Sequence, residues 1–341
     1  MATSHKKITR IIVALVLLLA VAGGLAYFAK KHQSDSTTSE VKIVSTVFPG
    51  YDFARSVVGD NANLTLLVHP GSETHSYEPS PQDIVAVQQC DLFIYVGGES
   101  ESWVDKVIIN LDTTKTKVVR MMDYVDVVEE EIVDGMESDE HTDAIDYEHD
   151  HDDHDRNHHH DDEEAVEYDE HVWTSPKNAI KLVQAIRDQL VVLNAAKADQ
   201  YRSNAANYIA SLEHLDQDIR THVAQAKRKE LIFGDRFPLR YFVEEYDLDY
   251  YAAFPGCSSQ TEASAATIAF LTQKIKQDNI LYIFKIELSN NRIAETLAAE
   301  TGAEVLEFHS LHNLSKEDFD AGKTYLEIMR QNLDNLDKAL N

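Results

Sequence analysis

From Lys42 onward the chain alternates short apolar runs rich in β-branched residues with longer segments whose apolar positions recur every three or four residues. The short runs predict strands at residues 42–49, LTLLV (64–68), DLFIYVG (91–97) and KVVRM (117–121). Helical spacing falls between them, from Tyr51 to Val58 and from Pro81 to Gln89. Alternation of this kind makes βαβ units and a parallel sheet. After residue 170, Ser175 as N-cap and Pro176 at the first helical position open a helix. Residues 196–229 then contain neither Gly nor Pro, and Tyr201, Ala205, Tyr208, Leu212, Leu215, Ile219 and Val223 lie on one face. That stretch predicts one helix of about 50 Å at roughly 1.5 Å per residue. The alternation restarts with ELIFG (230–234), LDYYAAF (248–254), NILYIFK (279–285) and AEVLEF (303–308), and a last helix is expected from about Ala321 to Leu340. The fold class expected is α/β: two lobes, each a four-stranded mainly parallel sheet flanked by helices, bridged by one long rigid helix.

Residues 126–170 break the pattern. They carry 22 acidic residues against the single Arg156, a local net of −21 that leaves only −7 of the formal −28 for the rest of the 341-residue chain. With no sustained apolar period and dense like charge, the segment is expected to be a loop that is disordered or ordered by metal. Seven histidines, His141, His149, His151, His154, His158, His159 and His160, stand inside it. The charge argues against nucleic acid, whose phosphates reward Lys and Arg, and suits a cation as partner.

At the start, Lys6, Lys7 and Arg10 precede an uncharged apolar run over residues 11–28, followed by Lys30 and Lys31. A positive flank before 18 apolar residues reads as a secretion signal or an uncleaved anchor. AVA at 20–22 offers a small-residue cleavage site, and no cysteine follows on which a lipid could be carried. The organisation expected is a signal or anchor over 1–32, a polar linker over 33–41, an N-terminal lobe over 42–125, the acidic loop over 126–170, helices over 171–229 and a C-terminal lobe over 230–341. Cys90 and Cys257 are the only cysteines, too few for a disulfide framework and not spaced as a zinc knuckle.

In open parallel sheets, ligands bind beyond the carboxyl ends of the strands. Metal-type residues at such places are His75 after LTLLV, His171 entering the first bridging helix, Asp235 after ELIFG and His309 after AEVLEF, with Glu262 as a further candidate. A lone histidine or aspartate after a strand is ordinarily a cap or a solvated loop residue, and His69, His214, His222 and His312 are read that way. Coincidence of the other four at element ends raises them to candidates for a tetrahedral site closed between two lobes by nitrogen and oxygen donors.

The segments VSTVFPGYDFARSVVGD (44–60), THSYEPSPQDIVAVQQCDLFIYVGG (74–98), DEHVWTSPKNAIKLVQAI (169–186) and TYLEIMRQNLDNLDKAL (324–340) carry a resemblance. Over residues 42–340 the chain resembles the metal-receptor family of bacterial ABC importers, in the zinc-binding branch that carries a His-rich acidic loop. The resemblance implies two α/β lobes on a long backbone helix with one metal in the cleft, and makes the histidines before EPSP and VWTSP, His75 and His171, metal ligands. In the second lobe the zinc branch usually has histidine after the first strand and aspartate after the last, whereas here the places hold Asp235 and His309. Three histidines and one aspartate would then be kept with two positions exchanged, which favours Zn²⁺ over Mn²⁺, with Glu262 as the alternative to Asp235.

The function expected is an extracytoplasmic receptor, monomeric and not an enzyme, that captures Zn²⁺ and hands it to an ABC permease. The acidic histidine run is expected to be an accessory low-affinity trap that raises the local cation concentration. Protonation of the cleft imidazoles should weaken binding below about pH 6. Other readings are a manganese receptor, a membrane-tethered metal buffer or adhesin, and a zinc hydrolase using Glu262 as base. For the last, no HExxH spacing is present.

Overall fold

The computed structural model describes residues 40–59, 63–72, 77–136, 167–258 and 262–341. The N-terminal apolar segment, His75 and the seven histidines of the acidic run lie outside the described residues. Among the described residues no helix is long and apolar enough to cross a membrane.

The first sheet contains β1 (Lys42–Ser45), β2 (Asn63–Leu66), β3 (Leu92–Tyr95) and β4 (Lys117–Arg120), ordered β2-β1-β3-β4 with every pairing parallel. The second contains β5 (Glu230–Phe237), β6 (Asp249–Pro255), β7 (Tyr282–Lys285) and β8 (Glu304–Glu307), ordered β6-β5-β7-β8 and again wholly parallel. Each sheet therefore reverses its winding once, between β1 and β3 and between β5 and β7. Chain segments leaving those two pairs diverge and open a crevice at the carboxyl ends.

Both faces of each sheet are covered, and the period-2 alternation sorts side chains between them. Ile43, Leu92, Ile94, Leu231 and Phe233 join one large central core. Their neighbours Val44, Phe93 and Tyr95 pack into a separate core beneath α2 (Pro81–Gln89) and α3 (Trp103–Ile108), and Ile232 into another. The central core is shared by both lobes through α1 (Phe48–Val58), α4 (Pro176–Leu193), α5 (Ala198–Gln225) and the final helix (Tyr325–Leu340). Asp52, fully buried on α1, ties three of these together. It accepts the Tyr325 N–H (2.9 Å) and the Tyr208 hydroxyl (3.3 Å), and pairs with Arg55.

The two lobes of four strands and the long connecting helix match the sequence expectation, and the boundaries that moved have local causes. β1 stops at Ser45 because Pro49 sits in the first turn of a helix that starts at Phe48. The long helix α5 has 28 residues, about 42 Å at roughly 1.5 Å per residue. It ends before Lys229 because the Lys227 and Arg228 N–H groups turn to the Leu340 carbonyl. The last helix begins at Tyr325, since Gly322 at φ +75° breaks the chain and Thr324 and Glu327 form a capping box. The described flanks of the expected loop over 126–170 belong to the folded body. Glu129 bridges Tyr168 in antiparallel fashion, the Asp169 N–H donates to Val128, and Val128, Val133 and Met136 pack on the central core. Cys90 is a buried free thiol donating to the Val87 carbonyl (3.1 Å), and Cys257 is free as well.

Glu101 is buried behind the β3 loop, where its Oε2 accepts the N–H groups of Val96 (2.6 Å) and Gly97 (2.9 Å). Burial, reinforced by the nearby Glu170 charge, pushes its carboxyl up to about 7 despite those bonds. A carboxyl raised in the folded state holds its proton after the unfolded chain has lost it. The contribution of Glu101 to stability therefore falls as pH rises from about 4.5 to about 7 and is flat above, by on the order of 3 kcal/mol at most. Glu101→Gln should abolish that decline, read as the difference in urea midpoint between pH 4.5 and pH 7.5 for the variant and the parent.

Candidate metal centre

A cavity of about 30 Å³ lies at the carboxyl ends of the second sheet. That is room for one ion with a water or two. Its wall is assembled from both lobes. Ser72 comes from the loop after β2, and His171 from the turn before α4. Arg236 and Pro238 come from the end of β5, Gly256 from after β6, and Ile286, Glu287 and Leu288 from after β7. Ser310, His312 and Asn313 come from after β8. Two wall segments carry backbone strain: Leu288 at φ +56°, and Leu311, between Ser310 and His312, at φ +64°. Left-handed conformations at branched residues persist where surrounding structure over-determines them, which is typical of ligand-holding loops.

His171 is almost completely buried. Its backbone N–H donates to Asp169 Oδ1 (2.7 Å), and its ring Nδ1 lies 3.2 Å from the same oxygen. A carboxylate on Nδ1 fixes the ring and raises the basicity of Nε2, as is usual behind metal-bound histidines. Burial by itself would lower the imidazole pKa, but the charges of Asp169, Glu170 and Glu130 raise it by more. His312 faces this ring, with centroids 5.0 Å apart and planes at 88°, and Trp173 lies 5.5 Å from His171 and 5.0 Å from His312. Glu287 is held by Ser310, whose N–H (2.7 Å) and hydroxyl donate to its two oxygens. Each oxygen retains a second lone pair, so both bonds orient the carboxylate without exhausting it.

The expected ligands divide accordingly. His171 lines the cavity. The Ser72 loop, which leads towards His75, also reaches it, while His75 itself lies outside the described residues. Asp235 does not line the cavity. Its Oδ1 accepts the Arg236 N–H (2.9 Å) and its Oδ2 the Ile286 N–H (3.2 Å), so it pins β5 to the loop that carries Glu287. The neighbouring Arg236 lines the wall instead. His309 is also absent from the wall. Its Nδ1 accepts the Leu311 N–H (2.9 Å), and its backbone is clamped by both ends of the Asn332 amide. Glu262 pairs with Arg292 at the exposed surface (2.8 Å) and does not line the cavity.

The structure brings His171, His312 and Glu287 to the cavity wall, the last two not named among the expected ligands, and sets the expected His309 behind them with its Nδ1 3.5 Å from Glu287 Oε2. Glu287 follows NILYIFK by two residues and stands beside the β5/β7 reversal, so the strand-end rule applied to that strand would have found it. His312 shares its loop with His309, and spacing alone gave no reason to prefer it.

Residues 43–339 match the family model of the zinc-uptake complex component A, periplasmic (ZnuA). The chain belongs to this family. It is 34% identical over 330 residues to the high-affinity zinc uptake system protein ZnuA of Bacillus subtilis, covering 97% of this chain and 96% of that one. It is also 34% identical over 328 residues to the zinc-binding lipoprotein AdcA of Streptococcus pneumoniae. That match takes in 96% of this chain but only 60% of AdcA, so the chain spans well under two thirds of its streptococcal relative. Among solved structures, the Zn(II)-bound ZnuA-like domain of S. pneumoniae AdcA superposes with a TM-score of 0.69 at 31% identity, covering 89% of this chain and 99% of that domain. Family membership agrees with the resemblance carried by the EPSP and VWTSP phrases.

The Trp173 indole N–H donates to the Ser310 carbonyl across the site (2.8 Å). Trp173→Phe keeps most of the apolar area but leaves that buried carbonyl unpaired, a loss of about 1–3 kcal/mol. Urea unfolding of the metal-free protein should show the loss, and zinc affinity should fall with it, because the bond holds the turn of His171 to the loop of His312.

Proposed function

We propose that the chain is an extracytoplasmic receptor that captures Zn²⁺ in this cavity and passes it to an ABC permease. The observation that carries the reading is the convergence of two imidazoles and a carboxylate, His171, His312 and Glu287, on an ion-sized cavity between the lobes. Zinc accepts such nitrogen and oxygen donors in tetrahedral sites, and His75, three positions after Ser72 in the sequence, is our proposed fourth ligand. The set remains three histidines and one carboxylate, with His312 and Glu287 in the places expected of His309 and Asp235. Imidazole-rich sites suit zinc better than manganese, which prefers more oxygen donors. The zinc named in the relatives and the zinc in the AdcA domain support the same cargo.

In this reading the chain's own residues bind and release, with no bond made or broken in a substrate. Asp169 orients His171, and Ser310 orients Glu287. Asp235 and His309 hold the two loops that bear the ligands. The acidic histidine run acts as a weak trap feeding the cleft, and the N-terminal apolar segment directs the chain out of the cytoplasm or tethers it there.

Zinc titration of the full chain against a competing chelator tests the ligand set. His171→Ala, His312→Ala and Glu287→Gln should each weaken the tight site by roughly 100-fold or more, beyond the 10–100-fold typical of outer partners. Asp235→Asn, His309→Gln and any single histidine change in the acidic run should cost less. A larger loss for Asp235→Asn or His309→Gln than for Glu287→Gln or His312→Ala would return the site to the exchanged ligands.

A further inference from the structure

Beside the cavity, at the root of the acidic segment, a second set of donors comes together. One ligand atom each from Glu130, Glu167 and Cys257 lie within 4.8 Å of one another. The fold holds them there. The Glu130 N–H donates to the Glu167 carbonyl (3.0 Å) next to the Glu129–Tyr168 bridge, and the Cys257 N–H donates to Glu130 Oε1 (3.2 Å). Cys257 immediately follows Gly256 of the cavity wall.

Two oxygens at this place are buried with no hydrogen-bond partner among the described residues. One is Glu130 Oε2, on a carboxylate of the cluster itself. The other is Oδ2 of Asp169, a residue with no exposed surface. It faces the same turn, since a Cβ built on Gly256 would stand 3.2 Å from it. An unsatisfied buried carboxylate oxygen costs free energy that a hydrogen-bond donor or a cation would recover.

We propose that Glu130, Glu167 and Cys257 form a second divalent-cation site, distinct from the cleft and selective for zinc-class ions. One sulfur and two carboxylate oxygens are a borderline donor set that takes Zn²⁺ or Cd²⁺ in preference to Mg²⁺ or Ca²⁺. Zinc–sulfur and zinc–oxygen distances of about 2.3 and 2.1 Å put tetrahedral ligands roughly 3.5 Å apart, so the three atoms need close by only about 1 Å. Three protein donors leave a fourth position to water, which makes the ion exchangeable. Burial, and then the charges of Asp169, Glu130 and Glu170, push the Cys257 thiol well above its ordinary range, so it holds its proton until a cation displaces it. The site stands whether or not the cleft ligands are those proposed above.

Cobalt(II) replacing zinc in the full chain gives the test, because cobalt bound to thiolate has a near-ultraviolet charge-transfer band that nitrogen and oxygen ligands do not produce. The expected result is a saturable band that Zn²⁺ bleaches. The band should be absent in Cys257→Ser, at least 10-fold weaker in cobalt affinity in Glu130→Gln, and retained in Cys90→Ala and His171→Ala. Zn²⁺ should also slow alkylation of Cys257 in the unmodified chain, and this readout does not require the cysteine variant to fold. No band in the parent protein, a band that survives Cys257→Ser, or alkylation indifferent to zinc would each overturn the site. Retention of the band in His171→Ala separates its fate from that of the cleft.

Discussion

The Trp173 side chain is the constraint on which the cavity depends. It is fully buried, meets the His171 ring edge-on and the His312 ring at a tilt, and gives its N–H to the Ser310 carbonyl. Its own carbonyl receives the Tyr325 hydroxyl (2.7 Å), so the final helix grips the turn from behind. Tyr325 in turn lies against Phe53 and donates its N–H to Asp52 on α1. A chain of buried contacts thus runs from the first helix of lobe one, through the last helix, to the loops after β8. A large aromatic fixed at both ends positions its neighbours within tenths of an ångström, and that is the tolerance a metal site requires. The rest of the fold, two sheets with paired reversals and a helix some 28 residues long, sets those loops opposite one another.

Much of the fold was legible because local and global signals agree. The β-branched runs name the strands, and the helix from Ala198 to Gln225 has an uninterrupted apolar face. The site was only partly legible. His171 stands at an element end beside a cap motif, two features visible in the letters. Asp235 and Arg236 are adjacent on an extended chain, so one faces away when the other faces the cavity. Here the bulge in the β5–β6 register between Phe233 and Arg236 decides which one does. His309 and His312 are separated by the left-handed turn at Leu311, a conformation that no propensity assigns to leucine. Choosing between each pair needs the backbone, and the backbone there is set by tertiary contacts rather than by the local sequence.

The same division holds for charge. The sequence shows a dense acidic segment and leaves its flanks undifferentiated. In the structure the flanks are part of the folded body, with Glu130 and Asp169 turned inward beside His171 rather than out to solvent. The negative potential of the segment therefore continues into the wall of the cavity through groups that are fixed, and fixed charges in a low-dielectric wall act more strongly than the same charges in water.

Release has to be reconciled with this rigidity. Between the lobes, the loops at the cavity are joined by the Phe48 N–H to His312 (3.4 Å), the Gly71 N–H to Leu314 (2.6 Å) and the Asn313 amide to His69 and Ser72 (2.8 and 2.9 Å). Each such bond contributes about 1 kcal/mol net, since water replaces it once the groups are exposed. The Trp173–Ser310 bond differs, being buried and backed by the final helix. The Ser72 loop is thus held to the loop after β8 by bonds that water can replace, and the turn of His171 is held to the same loop by a buried one. On the proposed function, a partner that drew the Ser72 loop away would break those bonds, each replaced by a bond to water, before the buried Trp173–Ser310 bond was touched.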